Sequence, residues 1–165
     1  MDADRIAEIL GLKPHPEGGF YRETYRSSGT IPAAALPERY TGSRSLGTAI
    51  YYLLTADTFS AFHRLRGDEA LHFYLGDRAE VVMLDPVQGA RTVALGSDLA
   101  AGERPQLVVP RGTWFAIRVA DGGDYALLGT TMAPGFDYGD FELAERDGLV
   151  AEYPDEADLI RRLTR

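Results

Sequence analysis

From Leu46 onward the chain alternates short apolar runs with turn-forming residues. LGTAIYYLL, FSAFHR, EALHFYL, AEVVML, RTVAL, QLVVP, TWFAIRVA and DYALLGTTM follow one another, punctuated by RGD, DPVQG, GSD and DGGD. Short strand-like runs separated by Gly, Pro and Asp turns predict an all-β sandwich or barrel. FYRETY (20–25) has the composition of a further strand. The two ends break this pattern. At the N-terminus Ile6, Ile9 and Leu10 share a helical face, with Asp2 placed to cap it and Gly11 to stop it. At the C-terminus PDEADLIRRLTR reads as a second short helix, with Asp155 as cap, acids in its first turn and arginines in its last. The polar segment 27–45 reads as a loop and not a domain boundary, because too little chain precedes it to form a core. Residues 1–165 are therefore expected to form a single domain.

Composition narrows the class. The chain has 165 residues, 45% of them hydrophobic and 25% charged, which suits one globular domain. A domain of this size buries roughly 68–70% of the surface its unfolded chain exposes, so it needs no covalent staple. With no cysteine, disulfides, thiolate metal sites and cysteine nucleophiles are excluded. The net charge of −8 argues against a nucleic-acid partner but leaves a small anionic ligand open. MDADRIAEILG lacks the basic and apolar regions of a signal peptide, and no run approaches the roughly 20 apolar residues of a membrane span. A cytoplasmic protein without a membrane partner is the expectation.

The densest chemistry lies in FHRLRGDEALHFYLG (62–76), which holds His63, Glu69 and His72. RLRGD supplies a tight reversal that brings His63 and Glu69 toward each other. Regular alternation puts Glu69, Leu71, Phe73 and Leu75 on one face and His72 on the other. A carboxylate among apolar neighbours must be paired, lie at a mouth or bind something.

This stretch resembles the first cupin motif. His63, Glu69 and Gly76 fit its spacing, while Leu65 replaces the second histidine. PRGTWF resembles the second motif, with Pro110 and Gly112 in place and Phe115 where a histidine belongs. HPEGGFYRETYRS, VVPRGTW, APGFDYGDF and the late Tyr153–Pro154 extend the likeness along nearly the whole chain, to a small cupin subfamily, the fifth cupin family. The resemblance implies a cupin jelly-roll β-barrel with short N- and C-terminal helices. It also implies a homodimer and a fold like that of the deoxysugar-nucleotide 3,5-epimerases. It brings no agreed reaction. Two of the four usual metal ligands are missing, so no metal or other cofactor is expected.

On this footing the expected occupant of the barrel is a small polar or anionic ligand, a nucleotide or nucleotide-sugar being favoured. Should the pocket be catalytic, metal-independent proton abstraction beside a carbonyl fits best. His63 is the candidate base, Glu69 the group that orients it, and Tyr138 the acid by analogy with the epimerases. His15 and Glu17 are candidate ligand contacts on a PHPEGG lip. Arg22, Arg26 and Arg64 are candidate anion clamps, Arg22 and Arg26 sharing strand parity. Trp114 is a candidate stacking surface and Asp137 a contact at the barrel mouth. The alternatives are a metal-dependent oxygenase or hydrolase and a non-catalytic binding or sensing module. An N-terminal segment covering the edge of a partner's sheet accounts for a dimer, and sedimentation showing a concentration-independent monomer would count against it.

Overall fold

The computed structural model describes residues 2–165. Among them, thirteen strands, three α-helices and short 3₁₀ turns alternate along the chain. A six-stranded sheet has the order β1 (Lys13–Pro14), β2 (Phe20–Arg26), β5 (Thr48–Thr55), β12 (Tyr125–Met132), β7 (Glu69–Gly76) and β10 (Gln106–Val109). Facing it, a five-stranded sheet has the order β13 (Phe141–Leu143), β6 (Phe59–Leu65), β11 (Trp114–Val119), β8 (Ala79–Asp85) and β9 (Gly89–Leu95). β3 (Thr30–Ile31) and β4 (Arg44–Ser45) pair within the segment read as a loop. The strand pairings within both sheets are antiparallel, in a jelly-roll arrangement. The strands expected from the sequence appear within a residue or two of their predicted limits.

The faces follow from alternation. Tyr52, Leu54, Leu71, Val81, Phe115, Ile117 and Leu128 point between the sheets and form the interior core. The outer face of the first sheet, with Leu53 and Leu127, is covered by α1 (Ala3–Leu10) through Ile6. The Asp2 carboxylate caps this helix by accepting from Arg5 N, and Gly11 ends it in the left-handed region, as the sequence pattern requires. The outer face of the second sheet carries Phe62, Leu84 and Trp114 under α2 (Arg146–Glu152) and α3 (Ala157–Arg162).

Two details at the ends depart from expectation. α2 is not apparent from sequence, and the C-terminal helix begins as a 3₁₀ turn at Pro154–Glu156, so Asp155 is not its cap. Among the described residues no helix is long and apolar enough to cross a membrane.

Bulges in β7, β2 and β6 reset the alternation of these strands. In β7 Leu127 faces Leu75 and Leu128 faces Phe73, so Tyr74 is the extra residue. Directly opposed residues share a face, and Leu75 therefore joins Leu127 on the outer side rather than Glu69, Leu71 and Phe73 inside. In β2 the register skips Thr24: Arg22 faces Tyr51, while Arg26 faces Thr48. The two arginines accordingly lie on opposite faces, which corrects the expectation of one shared face. The bulge in β6 shapes the site.

Candidate functional site

In β6 His63 faces Phe115 and Ser60 faces Ile117, with only Ala116 opposite the two residues between them. Regular alternation from Ser60 would send His63 outward. The extra residue reverses the parity, so Ser60, His63 and Leu65 all point inward and Phe62 outward, a common use of a bulge beside a site. The bulge frees backbone N–H groups, and other segments bind them. Ala61 N donates to Glu17 O at 3.0 Å and Phe62 N donates to Leu163 O at 2.8 Å. The PHPEGG turn is thereby fastened to the strand that carries His63.

Both glycines of that turn are required. Gly18 and Gly19 have φ of 116° and 70°, and a Cβ on Gly18 would stand 2.0 Å from Phe59 O. This tight seating drives Glu17 into the barrel. Its Oε1 accepts from Ser60 Oγ at 2.9 Å and its Oε2 lies 3.4 Å from His63 Nδ1. His15 lies on the other side of the carboxylate, with Nδ1 3.8 Å from Oε1. Tyr52 Oη donates to Gly18 O at 2.6 Å and closes the turn from beneath.

These groups line a cavity of about 500 Å³ at one end of the barrel, within the usual range for small-molecule pockets. His15, Glu17, Tyr52, His63, Glu69 and Thr130 supply its polar wall. Leu65, Phe115, Ile117, Met132 and Phe141 supply its apolar wall. His63 packs between Phe115 and Phe141, at ring-centroid distances of 4.1 and 5.3 Å. Glu23, Arg26, Lys13, Asp137 and Tyr138 stand toward the opening.

The protonation pattern follows from burial. Desolvation holds the His63 imidazole below its ordinary pKa, against the pull of Glu69 and of the Ala61 carbonyl. Desolvation likewise lowers His15, and His63 adds to the effect. Glu17 is raised by burial. Burial is also the main cause for Glu69, raised to about 7, with Glu17 adding to it and His63 opposing. Tyr138 is pushed to about 12 by partial burial and by the neighbouring Tyr21 hydroxyl.

The expected orienting role of Glu69 is corrected. His63 Nδ1 lies 2.8 Å from Ala61 O, and a carbonyl can only accept, so Nδ1 carries the proton. The Ala61 carbonyl, with Glu17 beside it, fixes the tautomer. Glu69 acts on His63 only through its field.

Other candidates are distributed as follows. Arg22 touches the cavity rim, but its guanidinium turns outward and donates to Leu10 O at 2.6 Å. Arg26 faces the opening while held by both oxygens of Glu23, at 2.9 and 2.7 Å, and by Phe136 O. Asp137 accepts from Gly139 N and begins a 3₁₀ turn at the mouth. Tyr138 lines the opening and is 53% exposed.

Arg64 and Trp114 lie outside the pocket, which corrects their expected roles there. Both alternate to the outer face, where the Arg64 guanidinium stacks 4.3 Å from the Trp114 ring and pairs with Glu142. His72 also faces outward, against Thr131. Sequence reasoning missed Lys13, Tyr52, Ser60 and Thr130. Inward parity in the LGTAIYYLL and DYALLGTTM runs is the signal that could have found Tyr52 and Thr130.

The residues do not fit a cupin metal centre. Leu65 and Phe115, both on the apolar wall, stand where the motifs would place two further ligands. Although His15, Glu17, His63 and Glu69 line one cavity, among the described residues no group of three such side chains is placed to hold a metal ion.

The family described as "Cupin superfamily (DUF985)" matches residues 4–144, and the chain belongs to it. Protein SO0799 from Shewanella oneidensis is similar, with 39% identity and a TM-score of 0.87 over 100% of this chain and 98% of that one. A hypothetical protein from Leishmania major shares 31% identity with a TM-score of 0.88, over 99% of each chain. The uncharacterized protein YML079W of Saccharomyces cerevisiae is 30% identical across 78% of this chain and 68% of its own length.

Proposed function

We propose that the cavity binds a small polar ligand with an anionic portion, of the nucleotide-sugar class, and that His63 removes a proton beside a carbonyl in an epimerisation or isomerisation. The supporting observation is the fixed tautomer of His63. With the Nδ1 proton held by Ala61 O, the ring's lone pair is at Nε2. This nitrogen has no protein partner among the described residues and is not among the sealed polar atoms, so it opens to the pocket. A neutral imidazole with its basic nitrogen bare is a general base ready at neutral pH. In the reaction a C–H bond next to the carbonyl breaks, the proton passes to Nε2, and the electron pair moves onto the carbonyl oxygen as an enolate. Proton return to the other face inverts the carbon. Tyr138, still a phenol at neutral pH, is the donor by analogy with the epimerases.

Charge placement orients the ligand. The deep wall holds Glu17 and Glu69, which suits hydroxyls and repels phosphate. The cations near the opening are Lys13, which rests 5.2 Å above the Tyr21 ring, and Arg26. The sugar end therefore enters first and the anionic end remains at the mouth.

The test uses a nucleotide-linked keto-deoxysugar in D₂O. Wild-type protein is expected to introduce deuterium next to the carbonyl, and His63→Ala to stop it while keeping the circular dichroism of the fold. Full-rate exchange by His63→Ala would sink the proposal. Saturable binding without exchange in the wild type would replace it with a binding module.

A further inference from the structure

The pocket holds a second imidazole whose hydrogen bonding is the reverse of the first. Glu17 N donates to His15 Nδ1 at 3.3 Å. A backbone N–H can only donate, so Nδ1 of His15 carries the lone pair and the proton of the neutral ring is on Nε2. His15 Nε2, like His63 Nε2, has no protein partner among the described residues and is not sealed from the cavity. The two rings lie on either side of the Glu17 carboxylate, at 3.8 Å from Oε1 and 3.4 Å from Oε2. Edge-on contacts with Tyr21 and Tyr52, at centroid distances of 4.5 and 5.7 Å, hold the His15 ring in place. One pocket thus presents a bare ring nitrogen from β6 and a ring N–H from the PHPEGG turn.

We infer that His15 is the electrophile of the site, its Nε2–H donating to the substrate carbonyl oxygen while His63 takes the adjacent proton. The inference rests on the proton-abstraction reading above. Negative charge develops on that oxygen as the C–H bond breaks, and a fixed N–H in a water-poor pocket stabilises it more than it stabilises the neutral carbonyl. The proton stays on His15 throughout, so the atoms balance without an imidazolate. A neutral ring serves better here than an imidazolium. It leaves Glu17 no cation to pair with, so the Nε2–H stays free for the substrate oxygen. The close seating of Gly18 and Gly19 is the mechanical counterpart. It fixes the Glu17 N–H that selects the His15 tautomer, and the same turn, through Glu17 O, holds the bulge that selects the tautomer of His63.

Two measurements test this. In protein labelled with ¹⁵N-histidine, long-range ¹H–¹⁵N correlation at pH 7 is expected to show His15 protonated on Nε2 and His63 on Nδ1. With three histidines in the chain, the variants His72→Gln and His15→Gln together complete the assignment. Protonation of both rings on the same nitrogen, or a charged His15, overturns the inference. In the D₂O assay His15→Ala is expected to slow exchange roughly 100–1,000-fold with little change in KM, and His15→Gln, which retains an N–H donor, to recover part of the loss. A His15→Ala rate within about threefold of wild type overturns the role of His15 and leaves that of His63 standing. Absence of exchange in the wild type itself removes the proton-abstraction reading, and the electrophile with it.

Discussion

The two ends of the barrel interior are built on the same strands and differ in what they place inside. β5 sends Thr48, Ile50, Tyr52 and Leu54 inward, and β12 sends Ala126, Leu128, Thr130 and Met132. At the filled end Leu54, Val81, Leu95 and Ala126 are fully buried and pack against Val119. At the open end Glu17, His63, Glu69 and Thr130 are nearly as buried but surround a cavity. Alternation decides which positions face in, and it applies equally to both ends. Only the open end carries ionisable groups whose burial must be offset by hydrogen bonds or by a change of charge state. One end supplies stability and the other holds the buried ionisable groups that the first must support.

The division of labour between the two ends is tested most severely at the filled end. Leu54→Ala removes a side chain with no exposed surface and leaves a void among rigid strands. A loss of about 2–5 kcal/mol is expected in urea denaturation, with the histidine tautomers of the surviving folded protein unchanged. If the tautomers changed, the two ends would be one coupled unit.

The buried carboxylates of the open end make its stability depend on pH. Glu69 titrates at about 7 when folded and at about 4.3 when unfolded. Between these values the folded state keeps a proton that the unfolded state has lost. The contribution of Glu69 is therefore most favourable below about pH 4.3, falls as pH rises, and levels off above about 7. His15 and His63 are shifted downward and act with the opposite sign, lowering stability as pH falls below their ordinary value. Comparing wild type with Glu69→Gln isolates the carboxylate. The variant should gain relative stability between pH 5 and pH 8, on the order of 2–3 kcal/mol. A difference independent of pH would mean that Glu69 remains a solvated carboxylate and that the open end is wetter than its geometry indicates.

Much of this fold was legible in the sequence because period-two alternation and Gly/Pro/Asp punctuation report strands directly. The helix at residues 3–10 carried its own cap and stop. α2 did not, since Gly148 interrupts a short polar stretch and a glutamate serves as cap. The site was harder to read. The residue types of His63, Glu69 and the PHPEGG turn marked it, but their partners depend on bulges. A single extra residue in β6 turns His63 inward and puts Ala61 O in reach of its ring. Another in β2 separates Arg22 from Arg26. Bulges arise from pairing across the sheet, and no local pattern in FSAFHR or FYRETY announces one. Trp114 and Arg64 misled for a related reason. The sequence shows an aromatic and a cation beside the motif residues but not which face of the sheet each takes.

The smallest expected effect tests that last distinction. Arg64→Ala removes a guanidinium that stacks on Trp114 and pairs with Glu142 on the outer face. The pair is well exposed, with side chains 39% and 55% accessible, so solvent screens it. The cation–π contact adds about 0.5–1 kcal/mol at such a site. The variant should lose about 1 kcal/mol or less in urea denaturation and keep wild-type affinity for any ligand of the barrel pocket. Arg26→Ala, on the inner face, should weaken binding of the anionic end in the same titration. If Arg64→Ala weakened ligand binding as much as Arg26→Ala, the assignment of faces would be wrong, and the anion would have to reach the cavity from the side of Phe141.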